Sequence, residues 1–328
     1  MAGFLVARLI KAVLVILAIA ALNFVLIRLA PGDPASVLAG EAGATDPNYV
    51  VELRRQFGLD EPMWKQLGLY LWKVAQFDFG YSYRNHVPVM QLILERLPAT
   101  LLLMASSFVV SLALGVGFGA LAAGVSFQRA RWLDALIMAL ALLFYATPLF
   151  WLALMMVIVF SVKLDWLPAF GMESVGANLH GLARVADIGA HLVLPTLALS
   201  FFFMSVYVRL TRASMMDVMT QDHVRTAFAK GLGSWTVLRR HVLRNALLPI
   251  VTFAGLQLGQ AGGAVLIETV FAWPGIGRLM FDALLQRDYQ LLLGVFLVTS
   301  ATVIVFNILT DLAYRLVDPR IRIGAGAR

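Results

Sequence analysis

The sequence predicts an all-α fold, a polytopic membrane protein with six transmembrane helices. Three observations carry this. Of the 328 residues, 60% are hydrophobic and only 14% charged, about half of the roughly 25% charge that ordinary soluble domains carry. Apolar stretches long enough to cross a bilayer, about 20 residues each, recur six times. Lysine and arginine gather in alternate connections between those stretches. The same composition excludes a disordered chain, a collagen-like chain and a nucleic-acid-binding arm. The absence of cysteine excludes disulfides, thiolate metal sites and a cysteine nucleophile.

The apolar stretches cover residues 4–30, 98–125, 133–162, 191–216, 247–271 and 291–317. Within the first, Ala18-Ile19-Ala20 resembles a signal-peptidase site. Only a short apolar run precedes it and apolar sequence continues after it, so the stretch reads as a retained anchor. Segment 31–97 is too polar to span and too long for a plain connector. It opens on Ala30-Pro31-Gly32-Asp33-Pro34, a turn-rich break that ends the first helix, and carries helical pieces around 51–57 and 62–75. It suits either an interfacial lid over the bundle or an external docking surface. Residues 98–317 form a five-helix core that includes a polar loop, 217–247, and residues 318–328 form a tail.

Sidedness follows from the basic residues. Arg8 and Lys11 lie at the start, and Arg129 and Arg131 between spans two and three. Arg209, Arg212, Arg225, Lys230, Arg239, Arg240 and Arg244 surround the loop between spans four and five, and Arg315, Arg320, Arg322 and Arg328 end the chain. The two short loops opposite hold only Lys163, Arg184, Arg278 and Arg287. Positive charge marks the cytoplasmic side, and long segments such as 31–97 cross regardless of charge. Both termini and the basic loop are therefore expected in the cytoplasm. The net charge of +7 reads as topology, with no nucleic acid as partner.

No catalytic constellation is found. There is no G-x-x-x-x-G-K-[ST] phosphate loop, no H-E-x-x-H and no G-x-S-x-G. The five histidines never fall three or four apart, so no metal site is expected. Ionisable residues near the spans, Arg28, Arg209, Glu268 and Asp311, sit at span ends, where snorkelling to the interface is the expected disposition. No span carries the mid-membrane carboxylate or arginine pairs of a proton-coupled carrier. Gly115 and Gly119 in span two, and Gly255, Gly259 and Gly263 in span five, recur every fourth residue. Such stripes let helix backbones approach closely, within the bundle or against a second membrane subunit. The run of three favours the subunit interface.

In the basic loop, Val224, Phe228, Leu232, Trp235, Leu238 and Val242 recur at helical spacing. Gly231-Leu232-Gly233 interrupts the stripe, which predicts two short helices joined by a bend, and Pro249 marks the start of the next membrane helix. The stripe fits an amphipathic helix on anionic membrane lipid or a knob for a groove on a cytoplasmic partner.

Arg225-Thr226-Ala227-Phe228-Ala229-Lys230-Gly231-Leu232, followed by Arg240-His241-Val242-Leu243-Arg244-Asn245-Ala246-Leu247-Leu248-Pro249, resembles the EAA loop of ABC importer permeases, in the version used by the dipeptide/oligopeptide/nickel family. The resemblance extends over essentially the whole chain. Arg28–Pro34, Phe57-Gly58-Leu59-Asp60-Glu61-Pro62, Phe79-Gly80-Tyr81-Ser82, Arg209-Leu210-Thr211-Arg212, Glu268–Arg278 and Asp318-Pro319-Arg320 match that family's further motifs in order. Arg225 stands where the general EAA pattern has Glu, and Gly231 and Pro249 are further apart than in it; both are similar to the peptide/nickel branch.

The resemblance implies a type I ABC importer permease fold in the bacterial cytoplasmic (inner) membrane. It implies a second homologous permease, two cytoplasmic ABC ATPase subunits that hold the ATP and Mg²⁺, and an extracytoplasmic solute-binding protein; this chain itself binds no cofactor. Arg225, Thr226, Ala227, Ala229, Lys230, Gly231, Leu232, Arg244, Asn245 and Pro249 would couple to the ATPase. Asp33, Glu268, Pro274 and Gly275 would form an external docking or gate region. The cargo implied is short peptides, with nickel, glutathione or another small solute as alternatives within the class. A secondary transporter needing no ATPase is the rival from another class.

Overall fold

The structure is a computed structural model that describes residues 2–29, 51, 60–82, 84–127, 130–258 and 264–317. It is overwhelmingly helical: α1 (Ala2–Leu29), α2 (Met63–Ala75), a two-stranded antiparallel hairpin of β1 (Tyr81–Ser82) and β2 (Val87–Pro88), α3 (Val89–Phe127), α4 (Arg131–Ala146), α5 (Leu149–Met156), α6 (Gly181–Met219), α7 (Asp222–Ala229), α8 (Ser234–Val237), α9 (Arg244–Leu258), α10 (Ala264–Val270), α11 (Ile276–Gln286) and α12 (Tyr289–Val317). Wider π-helical turns continue α5 through Val157–Lys163 and link α8 to α9 through Leu238–Leu243.

Among the described residues, four helices, in α1, α3, α6 and α12, are long and apolar enough to cross a membrane. The predicted third span is not one straight helix. Its two halves, Arg131–Ala146 and Leu149–Lys163, meet at a bend of 103° and raise the number of spans to five if counted together. Pro148 explains the break, since it has no N–H to donate to the preceding turn. The predicted fifth span is represented by α9 and α10, with residues 259–263 outside the described residues. Six straight spans are therefore not what the described residues form. Pro249 is also placed differently from expectation, inside α9 and not at its start. The helix begins at Arg244 because the π-helical turn feeds directly into it.

The chain divides into two compact units, Met1–Pro98 with Gly275–Val305, and Ala99–Pro274 with Phe306–Arg328. In the first, Val89, Ile93, Ile276, Leu279, Ala283, Leu291 and Val295 form the core. Phe24 of α1 lies 5.9 Å from the ring of Tyr70 on α2, and the Asn23 amide donates to the Leu293 carbonyl at 3.3 Å. In the second, α6 is the central element. It has the lowest mean hydropathy of the four long helices, 1.8, yet 61% of its apolar window is buried, against 22% or less for the others. A helix packed on protein tolerates polar groups that lipid would reject. Around it lie a cluster with Leu103, Ala153, Leu194, Ile267 and Trp273 and another with Met215, Val224, Val237 and Val242.

Candidate functional site

The basic loop folds as two short helices around a bend. Val224 and Ala227 of α7 are buried against Met215 and Val218 of α6, Ala123 of α3, and Val237, Leu238, Val242 and Ala246 beyond the bend. Phe228 stacks on Phe127 at 5.6 Å between ring centroids. The α7 helix stops in a Schellman motif: Gly231 N–H donates to the Phe228 carbonyl at 2.9 Å and Leu232 N–H to the Ala227 carbonyl at 3.3 Å. Gly231 has φ +77°, a left-handed conformation that glycine adopts without strain. No atom lies within 4 Å of where its Cβ would stand, so its role inside this chain is conformational.

The reversal at Gly231 splits the apolar stripe expected from spacing. Val224, Leu238 and Val242 are buried, whereas Leu232 is 37% and Trp235 72% exposed. Helical phase does not carry across a left-handed residue, so these two side chains are aimed outward. Arg225, Thr226, Ala229, Lys230 and Arg239 are exposed as well. Asn245 closes the loop: its amide donates to the His241 carbonyl at 2.7 Å and lies 3.2 Å from His223 Nε2. Arg244 and Pro249 are exposed.

The platform under this loop is the α3–α6 contact. A Cβ on Gly115 would lie 2.2 Å from Tyr207 Cβ, and one on Gly119 would lie 2.7 Å from the Val208 carbonyl oxygen. These glycines therefore serve packing within the chain. In the other stripe, the Gly255 carbonyl accepts a hydrogen bond from Thr310 Oγ1 at 2.9 Å, again within the chain; Gly259 and Gly263 lie outside the described residues. Sequence reading missed the ion pair beside this contact. Arg212 Nε and Nη2 donate to the two carboxylate oxygens of Asp134 at 2.6 and 2.7 Å. Both lie at the ends of predicted spans, Asp134 at the start of the third and Arg212 near the end of the fourth. The sequence separation, 78 residues, hides it from any local pattern.

The segment Glu268–Gly275 is folded inward. Glu268 does not snorkel, as its position at a span end suggested; it is 0% exposed, and Thr100 Oγ1 donates to its Oε1 at 2.7 Å. A hydroxyl donor next to the span supplies the polar partner that the interface would otherwise provide. Trp273 is also fully buried, its Nε1 donating to the Ala99 carbonyl at 2.9 Å. Ala272 turns the chain at φ +50°, and Gly171 N–H donates to the Phe271 carbonyl at 2.9 Å. Pro274 is half-buried and Gly275 buried, and Asp33 lies outside the described residues.

Residues 115–323 match the binding-protein-dependent transport system inner membrane component family, and residues 1–104 match its N-terminal component. The chain belongs to this family. A Brucella abortus (strain 2308) protein named as a peptide transport system permease is 39% identical over 323 residues, covering 98% of this chain and 99% of that protein. The dipeptide transport system permease protein DppB of Escherichia coli (strain K12) is 37% identical over 340 residues, covering 98% and 99%. Among solved structures, an inward-facing conformation of the MetNI methionine ABC transporter superposes with a TM-score of 0.57 at 17% identity, over 70% of this chain and 97% of that one. The fold is that of an ABC importer permease, and the chain is a multi-pass permease component of a binding-protein-dependent importer.

Family membership gives the remaining motifs a physical setting. Phe79-Gly80-Tyr81-Ser82 clamps the hairpin to the start of α12. Ser82 Oγ donates to Asp288, which is 2% exposed and whose other carboxylate oxygen accepts Leu291 N–H at 3.0 Å as the helix cap. Tyr81 N–H donates to Gln290 Oε1 at 3.1 Å. Asp288 stands 206 residues from Ser82, and no sequence signal paired them.

Proposed function

We propose that this chain, with a second homologous permease, forms the translocation path for short peptides delivered by an extracytoplasmic solute-binding protein. Transport is driven by two cytoplasmic ATPase subunits, which hold the ATP and Mg²⁺. Both termini and the basic loop face the cytoplasm, as the distribution of Lys and Arg supports. The observation that carries the reading is the loop's exposed tip. Leu232 and Trp235 stand clear of the chain's own core, and Arg225, Lys230 and Arg239, close to them in sequence, are exposed as well. An exposed tryptophan amid charge suits a protein groove, where the aromatic anchors and the cations steer. The opposite face of α7 is bolted to α3 and α6, so a push on the tip is delivered to the two long helices. The names of the full-length relatives favour peptides as cargo.

The pattern of roles follows. Arg225, Thr226, Ala229, Lys230 and Leu232 make the contact, and Ala227 holds the helix to its platform. Gly231 sets the bend, while Arg244, Asn245 and Pro249 frame the return. Glu268, Pro274 and Gly275 act on the external gate by fixing the inward turn, since that turn is mostly buried.

Gly231→Val tests the coupling. A β-branched residue at φ +77° carries a left-handed cost of about 1–2 kcal/mol but meets no neighbour, so insertion should survive. Uptake in proteoliposomes of the complete importer should fall while the ATPase subunits keep hydrolysing ATP. Wild-type uptake by this variant, or uptake by the wild-type chain with no ATPase subunit present, would sink the reading.

A further inference from the structure

Arg209 lies on α6, one turn before Arg212, and its side chain is exposed. Among the described residues, no carboxylate makes an ion pair with it. Its guanidinium carbon stands 5.5 Å from the centroid of the Tyr145 ring. Tyr145 in turn stacks on Phe202, with 5.5 Å between centroids and 14° between planes.

The direction of this side chain is informative. Arg212 pairs with Asp134, and Tyr145 lies about 16 Å further along α4 from Asp134 at 1.5 Å per residue. Arg209 therefore reaches along α6 toward Phe202, away from the basic loop. A snorkelling arginine would turn toward the loop and its interface; this side chain extends the other way, to Tyr145. Tyr145 sits about 21 Å along α4 from Arg131, against a hydrocarbon core of roughly 30 Å.

A second observation meets the first at this depth. Tyr145 is the penultimate residue of α4, next to the 103° break. Tyr145, Ala146 and Pro148 are all exposed. Interrupted backbone at bilayer depth is tolerated only where it packs on protein or lines a water-filled cavity, and broken helices mark substrate sites in transporters. An intramembrane arginine demands the same surroundings. The guanidinium carbon lies over the Tyr145 ring, a contact that uses the positive charge and consumes no N–H donor, so donors remain for a planar anion.

We propose that Arg209, propped on Tyr145 beside this break, lines the path and binds the C-terminal carboxylate of a peptide in transit. The proposal rests on the peptide-import reading above. The planar fork of arginine matches a carboxylate with two parallel hydrogen bonds, which lysine cannot reproduce. A free carboxylate on the cargo therefore finds one fixed cation within the bilayer, and the flat ring beneath it keeps that cation from turning to the loop.

The test uses the complete importer in proteoliposomes, with the binding protein preloaded to saturation with a dipeptide or with its C-terminal amide. Translocation is counted per bound peptide. In wild type the acid should cross faster than the amide. Arg209→Gln should slow the acid about tenfold, down to the amide rate, leaving the amide rate unchanged and ATPase stimulation by loaded binding protein intact. Arg209→Lys should fall between. Equal rates for wild type and Arg209→Gln would overturn the proposal. So would equal loss of acid and amide transport together with lost ATPase stimulation, which would mark Arg209 as a structural residue. Failure of the wild-type importer to move any peptide would instead overturn the function proposed for the chain.

Discussion

Three glycines on α3 make a test in which the packing term can be isolated. Gly115 and Gly119 lie one turn apart on one face of the helix, and Gly117 lies between them on the other side. A Cβ at 115 would lie 2.2 Å from Tyr207 Cβ and 3.1 Å from the Met204 carbonyl oxygen. At 119 it would lie 2.6 Å from Thr211 Cβ and 2.7 Å from the Val208 carbonyl oxygen, whereas at 117 nothing lies within 4 Å. Ordinary contact begins near 3.4 Å, so an alanine at 115 or 119 forces α3 and α6 apart by the better part of an ångström or more. Overpacking of this kind costs about 1–3 kcal/mol. Alanine also gains up to about 1 kcal/mol over glycine in helix propensity, and that gain is shared by all three positions. Gly117→Ala should therefore be neutral or stabilising. Gly115→Ala and Gly119→Ala should be about 1–3 kcal/mol less stable than Gly117→Ala, and their double variant should cost less than the sum because both act on one contact. Equilibrium unfolding of the purified chain in mixed micelles, compared across the series, reads this directly. If Gly115→Ala or Gly119→Ala matched Gly117→Ala, the close approach of these helices would be refuted.

Other consequences follow from the same structure. Asp134→Ala should cost about 1–3 kcal/mol by leaving the part-buried Arg212 without its carboxylate, and the Asp134→Ala/Arg212→Ala double variant should recover part of it; a double-mutant unfolding cycle that proved additive would refute the coupling. Asp288→Ala should cost about 1–2 kcal/mol for the lost helix cap and leave Ser82 without its carboxylate, so hydrogen exchange at residues 81–88 should rise, with Asp288→Asn milder. In the connection before α6, Arg184 holds the Glu173 carboxyl below the usual glutamate range, its Nε and Nη2 donating at 2.6–3.0 Å. A depressed carboxylate stabilises above its unfolded value and loses that effect as pH falls through the lower folded one. Protection of residues 173–187 from exchange should thus decline only below about pH 4. Glu173→Gln should reduce that pH dependence and leave the part carried by Asp187, whose carboxylate is held low by Ser174 N–H and Oγ.

Much of this fold is written locally. The apolar stretches announce a bilayer because about 20 apolar residues satisfy every backbone group inside one helix without water. The bend of the basic loop is equally legible, since Gly231 stands at a left-handed turn that other residues would strain. Tertiary structure decided what those elements do to each other. Whether the glycine stripe of α3 faces a partner or α6 depends on Tyr207 and Thr211, about 90 residues away in the chain. Glu268 read as a snorkelling charge because its partner Thr100 lies 168 residues distant. The break at Gly231 is legible, but which stripe residues stay exposed is not: Leu232 and Trp235 are exposed while Val224, Leu238 and Val242 pack inside.

Composition and spacing, then, settled the solvent, the helices and the punctuation between them. Those properties follow from the energies of single segments: transfer of apolar side chains, closure of backbone hydrogen bonds, and the φ values a residue allows. Burial of Glu268, the pairing of Arg212 with Asp134 and the reach of Arg209 toward Tyr145 depend on groups brought together from separate segments. Their energies exist only after the helices pack, and so the tertiary structure alone could assign them.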